Sequence, residues 1–183
     1  MRKFLASLLE IFEIAVIAIA AVFLVRTFLV QPFLVSGTSM SPNFSNGDYV
    51  LVDELTYLIR KPERGEVVVF HDPEDYSTYF IKRIIGLPGE RITIASDTVT
   101  VYPNATSTTG LTLDEYYLPQ GTLTSGDETY TLSSSTYLLL GDNRPASYDS
   151  RSWGALPAKN IVGLVRLRLW PPDAITAFAA PKY

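Results

Sequence analysis

From Ile14 to Val25 the chain contains no polar residue, and the apolar stretch runs over residues 8–30 once Glu10, Glu13 and Arg26 are placed near its ends. The polar-free part alone is too short to cross a bilayer, which takes about 20 residues, whereas 8–30 is long enough. A buried core helix is one alternative, but core helices seldom stay apolar on every face over such a length. A cleaved leader is another. Its small-residue site would be Ala18-Ile19-Ala20, yet the chain continues apolar to Val25 instead of turning polar. The pattern therefore predicts one uncleaved transmembrane helix, with residues 1–30 forming a short end and a membrane anchor. Arg2 and Lys3 favour an inside N-terminus and Arg26 opposes it, so charge alone leaves the orientation open.

After Pro32 the pattern changes to short runs rich in β-branched and aromatic residues: 48–55, 65–70, 78–86, 90–95, 98–102, 136–142 and 160–170. Turn residues at Asn46-Gly47, Arg64-Gly65, Pro88-Gly89 and Gly141-Asp142-Asn143 separate them, and no amphipathic helix of useful length intervenes. The prediction is a mainly β domain, its short strands closing into barrel-like or sandwich sheets. Between Asn104 and Thr136, serine and threonine fill 14 of 33 positions and large aliphatics are few, which marks a peripheral insertion. Asn104-Ala105-Thr106 fits a glycosylation acceptor, a pattern too short to carry weight.

Composition narrows the chemistry. The chain has no cysteine, which removes disulfides, thiol nucleophiles and thiolate metal sites. The formal charge of −4 argues against nucleic acid as a partner, since phosphate neutralisation needs a basic face. The first 30 residues carry three basic and two acidic side chains, so the acidic excess lies in the β part.

Ser36-Gly37-Thr38-Ser39-Met40-Ser41-Pro42-Asn43 sets several hydroxyls between an apolar stretch and a turn. A hydroxyl nucleophile needs an adjacent base, either histidine or a lysine whose ammonium is made unstable by desolvation. The single histidine, His71, opens the polar run His71-Asp72-Pro73-Glu74-Asp75 and reads as a solvated strand end. Lys82 lies within Tyr79-Phe80-Ile81-Lys82-Arg83-Ile84-Ile85. Alternation puts it with Phe80 and Ile84 on one face, and Ile81, Arg83 and Ile85 on the other. That pattern suits a buried base, but taken alone it favours an edge-strand lysine with its head in water.

Five segments, SGTSMSPN, GDYVLVDEL, RGEVVVF, FIKRIIGLPGE and GDNRPASYDSRSWG, follow the apolar stretch in that order. In this order they resemble the boxes of bacterial type I signal peptidases, membrane-anchored serine peptidases that remove signal peptides from exported proteins. The resemblance runs from about Ala15 to Trp170. It implies Ser39 as nucleophile and Lys82 as general base, without a cofactor or metal. It implies that Ser147 hydrogen-bonds the lysine, and that Asp142, Asn143, Arg144, Asp149 and Arg151 hold the site. Some members carry a serine or threonine two residues before the nucleophile as an oxyanion donor; here that position is Gly37.

Further expectations follow from the resemblance. The fold is an all-β catalytic domain of the kind shared with SOS-repressor-type proteases, over 31–95 and 136–172. An inserted small β subdomain occupies 96–135, the transmembrane helix precedes, and 173–183 form a C-terminal tail. The partners are signal peptides of the Ala-x-Ala type, bound as an added strand, and membrane lipid. Phe33, Val35, Met40, Phe80 and Ile81 form the substrate pockets, and Met40 and Phe44 touch the bilayer. The N-terminus is cytoplasmic and the catalytic domain lies on the outer face of the plasma membrane. The contrasting reading is a noncatalytic membrane-anchored β-domain that binds or assembles other proteins.

Overall fold

The computed structural model describes residues 7, 9–20, 30–181 and 183. Residues 9–20 form a helix, α1, with exposed apolar side chains such as Leu9, Phe12 and Ile19. Leu8 and residues 21–29 of the expected transmembrane helix lie outside the described residues. Among the described residues no helix is long and apolar enough to cross a membrane.

The remainder is mainly β, as the alternation predicts. The larger sheet is antiparallel and contains β1 (Val30–Leu34), β2 (Tyr49–Asp53), β3 (Val67–His71), β4 (Tyr79–Gly86) and β9 (Thr136–Leu140). It is completed by β10 (Leu156–Pro157), β11 (Ile161–Trp170) and β12 (Thr176–Ala177). The order is β1-β2-β11-β3-β4-β9-β10, with β12 on the outer stretch of β11. Two short helices punctuate it, α2 (Thr56–Ile59) and α3 (Ser150–Trp153). Asp149 caps α3, its carboxylate accepting from the Arg151 N–H. A second sheet, β7-β6-β5-β8, is built from β5 (Arg91–Ala95), β6 (Thr98–Tyr102), β7 (Leu111–Thr112) and β8 (Glu128–Thr131). β5, which sequence reasoning grouped with the larger domain, pairs here with the serine- and threonine-rich stretch.

Alternation along β5 and β6 buries Ile92, Ile94, Val99 and Val101, and these pack with Ile85, Leu138 and Leu140 of the larger sheet. The second sheet is thereby joined to the first through apolar side chains, each contributing about 1.5–3 kcal/mol when fully buried. Two further clusters matter for the site. Val35, Met40, Phe44, Val50, Val52, Val67, Val69 and Val165 pack under the chain that follows β1. Val68, Phe70, Ile84, Tyr137, Leu139 and Leu156 pack on the other face of β3 and β4.

That packing corrects one expectation. Met40 is 1% exposed and Phe44 is fully buried, so neither reaches lipid. The reason is local: the Phe44 N–H donates to the Met40 carbonyl at 2.9 Å, and this turn rolls both apolar side chains inward beneath Ser39.

Candidate active site

β1 ends at Leu34, and the chain then turns so that Ser39 faces β4 across a groove. Gly37 makes the turn possible with φ +93°, a conformation that side chains with a Cβ seldom adopt. Its N–H donates to Asn46 Oδ1 at 2.9 Å. On β4, Lys82 is 3% exposed, and its Nζ donates to Ser39 Oγ at 2.7 Å and to the Ile81 carbonyl at 2.9 Å. The Phe80 ring lies 5.5 Å from the same nitrogen. Burial lowers the Lys82 pKa from 10.5 to about 8, against the opposing charges of Asp149 and then Asp142. An amine that loses its proton near pH 8, held on a hydroxyl, can take that hydroxyl's proton.

His71 takes no part in this arrangement. Its Nδ1 lies 2.7 Å from the Tyr76 carbonyl and its ring stacks on Tyr76 at 3.9 Å.

The neighbour of Lys82 has the opposite fate. Arg83 points to the other face and binds Asp142 through two hydrogen bonds of 2.8 and 2.6 Å, with a third to the Gly65 carbonyl at 2.8 Å. Asp142 also accepts from Asn43 Nδ2 at 2.8 Å, and its N–H points at Met40 Sδ. Met40 is thus a buried support beneath the site and does not line the groove, contrary to its expected place in a pocket. Asn143 reaches the turn that carries Ser39, its N–H donating to the Ser39 carbonyl and its Nδ2 to the Thr38 carbonyl, both at 3.0 Å.

Arg144 is 1% exposed and lies against the second sheet's connections, where it binds Glu115, Thr124 Oγ1 and the Tyr117 hydroxyl. Sequence reasoning found Arg144 and missed all three partners. Nothing in that region's pattern pairs Glu115 with a residue 29 positions away. Asp149 is fully buried, which by itself would raise its pKa. Two hydrogen bonds from Arg151 and one from the Gly141 N–H outweigh burial and hold it below the ordinary aspartate value.

Ser147 departs from its expected role. Its Oγ is buried and makes no hydrogen bond, to Lys82 or to any other described residue. It packs against Gly141, where a Cβ would collide with Ser147 Oγ and the Ser39 carbonyl, so the absent side chain is what lets these strands close on the site.

The groove between β1 and β4 has a volume of about 320 Å³. Its walls include Phe33, Val35, Phe80 and Ile81, four of the five residues expected there, with Ser39 and Lys82 at one end. At the other end Phe33 meets Tyr79 edge-on at 5.3 Å. No group of acidic or histidine side chains that could hold a metal occurs among the described residues.

Residues 8–170 match the family model described as "Signal peptidase, peptidase S26". A probable signal peptidase I-2 of Synechocystis sp. is 36% identical over 145 residues, spanning 73% of this chain and 60% of that protein. The signal peptidase I of Leptolyngbya laminosa is 33% identical over 151 residues, 78% of this chain and 70% of that protein. A solved signal peptidase I from Enterococcus faecalis is similar over 58% of this chain and 97% of its own, at 28% identity and a TM-score of 0.46. The five ordered segments that suggested a resemblance thus lie in a match that takes in nearly the whole chain, and the chain belongs to the signal peptidase family, peptidase S26.

Proposed function

We propose that this protein is a membrane-bound serine endopeptidase that removes N-terminal signal peptides from exported preproteins through a Ser39–Lys82 dyad. The observation that carries this reading is the 2.7 Å hydrogen bond between Lys82 Nζ and Ser39 Oγ, made by a buried lysine with a pKa of about 8.

The substrate lies extended between β1 and β4, with small side chains of an Ala-x-Ala segment against Phe33, Val35, Phe80 and Ile81. Neutral Lys82 takes the Ser39 proton as Oγ attacks the scissile carbonyl carbon. The carbonyl oxygen becomes an oxyanion, for which the Ser39 N–H is one donor. As the intermediate collapses, the C–N bond breaks and the Lys82 ammonium returns its proton to the leaving amine. Water then attacks the acyl-enzyme, giving a proton to Lys82, which passes it to Ser39 Oγ as the ester bond breaks, freeing the signal peptide and restoring the Ser39 hydroxyl and the neutral amine. No step calls for a metal. The apolar segment 8–30 anchors the domain beside emerging signal peptides, with the N-terminus cytoplasmic.

The test is cleavage of an Ala-x-Ala peptide by the full chain in detergent, beside Ser39→Ala. Cleavage at the alanine by the first and none by the second supports the reading. No cleavage by the folded chain favours a noncatalytic binding module.

A further inference from the structure

The chain beyond β11 lies behind the groove, where none of its residues contributes to the walls. It runs from the nucleophile's turn to the strand of the base. At its start, the Ala174 carbonyl accepts from Arg168 Nε at 2.8 Å, and Arg168 donates in turn to the Asn43 carbonyl at 3.2 Å and to Asp48 at 2.8 Å. Asn43 belongs to the turn that presents Ser39. β12 then pairs with β11, and the Phe178 ring packs 4.3 Å from that of Phe44, the buried residue closing the same turn.

The segment next crosses to the strand of the base. Pro181 is buried on Gly65, whose carbonyl accepts from Arg83, the residue after Lys82. The Tyr183 hydroxyl donates to the Tyr117 hydroxyl at 3.2 Å. The Tyr117 ring lies 4.2 Å from the Arg83 guanidinium, and its carbonyl accepts from Asn43 at 3.0 Å. Both ends of the segment thus converge on Asn43 and Arg83.

We infer that residues 174–181 together with Tyr183 are a positioning strap that ties the Ser39 turn to the Lys82 strand and so fixes the nucleophile on its base, with Phe178 and Tyr183 as its two fasteners. The strap acts through Phe44, Asn43, Tyr117 and Arg83 and touches no substrate. This rests on the reading of Ser39 and Lys82 as the catalytic pair. Phe178 shares its apolar cluster with the wall residues Phe33, Val35 and Ile81, but no strap residue lines the groove, so loosening the strap separates hydroxyl from amine and harms the chemical step more than binding. A proton relay is that sensitive because it needs heavy atoms within about 3.2 Å.

The experiment compares Phe178→Ala and Tyr183→Ala with Phe178→Leu and Tyr183→Phe in the full chain, normalised to folded protein and assayed well below each melting temperature. Both alanine variants should lose at least about tenfold in kcat with KM within twofold, and the conservative variants should recover most of it. A kcat within twofold of wild type, or a loss confined to KM, overturns the strap. Should Phe178→Ala not fold, Tyr183→Ala decides alone. If the unsubstituted chain cleaves no peptide, the peptidase reading has failed and the strap is judged from the Lys82 side-chain nitrogen by NMR titration. The midpoint, set by burial against the charges of Asp149 and Asp142, rises in Tyr183→Ala if the strap keeps water from the amine. An unmoved midpoint refutes it.

Discussion

Lys82 offers the sharpest test, because a base and a fixed cation at that position behave oppositely with pH. Burial moves its pKa from 10.5 to about 8. At pH 7 a group titrating near 8 is ~10% neutral, against ~0.03% for an ordinary lysine, a gain of ~300-fold in the reactive form. The pH profile of kcat/KM for an Ala-x-Ala peptide should therefore rise tenfold per unit below pH 8 and level off above it. Lys82→Arg should be inactive throughout, since a guanidinium does not give up its proton in this range. The same burial has a cost in stability. The drop of about 2.5 from the ordinary value corresponds to roughly 3 kcal/mol at ~1.4 kcal/mol per pH unit. The folded state disfavours the ammonium, so that cost is present in full below about pH 8. It shrinks as pH rises towards 10.5 and is absent above. Lys82→Met should accordingly unfold at higher urea than wild type at pH 7, by up to roughly 3 kcal/mol, with the gap closing by pH 10.5. A rate profile that bends only near 10.5, or a folded Lys82→Arg variant with more than a few per cent of activity, would refute the lysine base.

Three further outcomes follow from the geometry. His71→Ala should keep kcat/KM within about twofold, because its ring nitrogen serves the Tyr76 carbonyl; a loss of activity in folded protein would return the base to histidine. Gly37→Ser supplies a hydroxyl where other family members have one, but at φ +93° the new Cβ should cost about 1–2 kcal/mol by urea unfolding and lower the cleavage rate; unchanged stability would mean that the turn relaxes freely. Asp142→Asn strips Arg83 of its buried carboxylate and should cost about 3–5 kcal/mol in chemical denaturation, which a value below 1 kcal/mol would contradict.

Much of the β framework was legible because its signals are local. Runs of β-branched and aromatic residues gave β2, β3, β4, β5, β6, β9 and β11 to within a residue or two, and glycine-bearing turns gave many of their ends. β1 was hidden because Val30–Leu34 continues an apolar run and has no alternation of its own. The site was less legible. Along β4 the side-chain pattern of Lys82 fits a wet edge as well as a dry interior. Only the resemblance of the ordered segments favoured the base, because dryness depends on the distant Ser39 turn closing over the strand. Met40 and Phe44 misled for the same reason: their turn rolls inward, a three-dimensional outcome that two apolar residues beside a serine do not announce. Ser147 lacks the hydrogen bond to Lys82 expected of it, and Glu115, Thr124 and Tyr117 had no signal linking them to Arg144.

The arginine–aspartate pairs around Ser39 and Lys82 bear on the electrostatics of the lysine. Asp149 and Asp142 are the charges that pull the Lys82 pKa upward. Each is already engaged, Asp149 by Arg151 and Asp142 by Arg83, through two hydrogen bonds apiece from a guanidinium. Two isolated carboxylates near a buried amine would favour the ammonium and restore an ordinary lysine. Even with a guanidinium on each, both carboxylates still pull the Lys82 pKa upward, and desolvation outweighs them. Arginine suits this use because it stays charged at every pH at which the lysine titrates. The two adjacent cations on β4 thus differ in fate: Arg83 stays charged on the Asp142 carboxylate, while burial lets Lys82 become neutral.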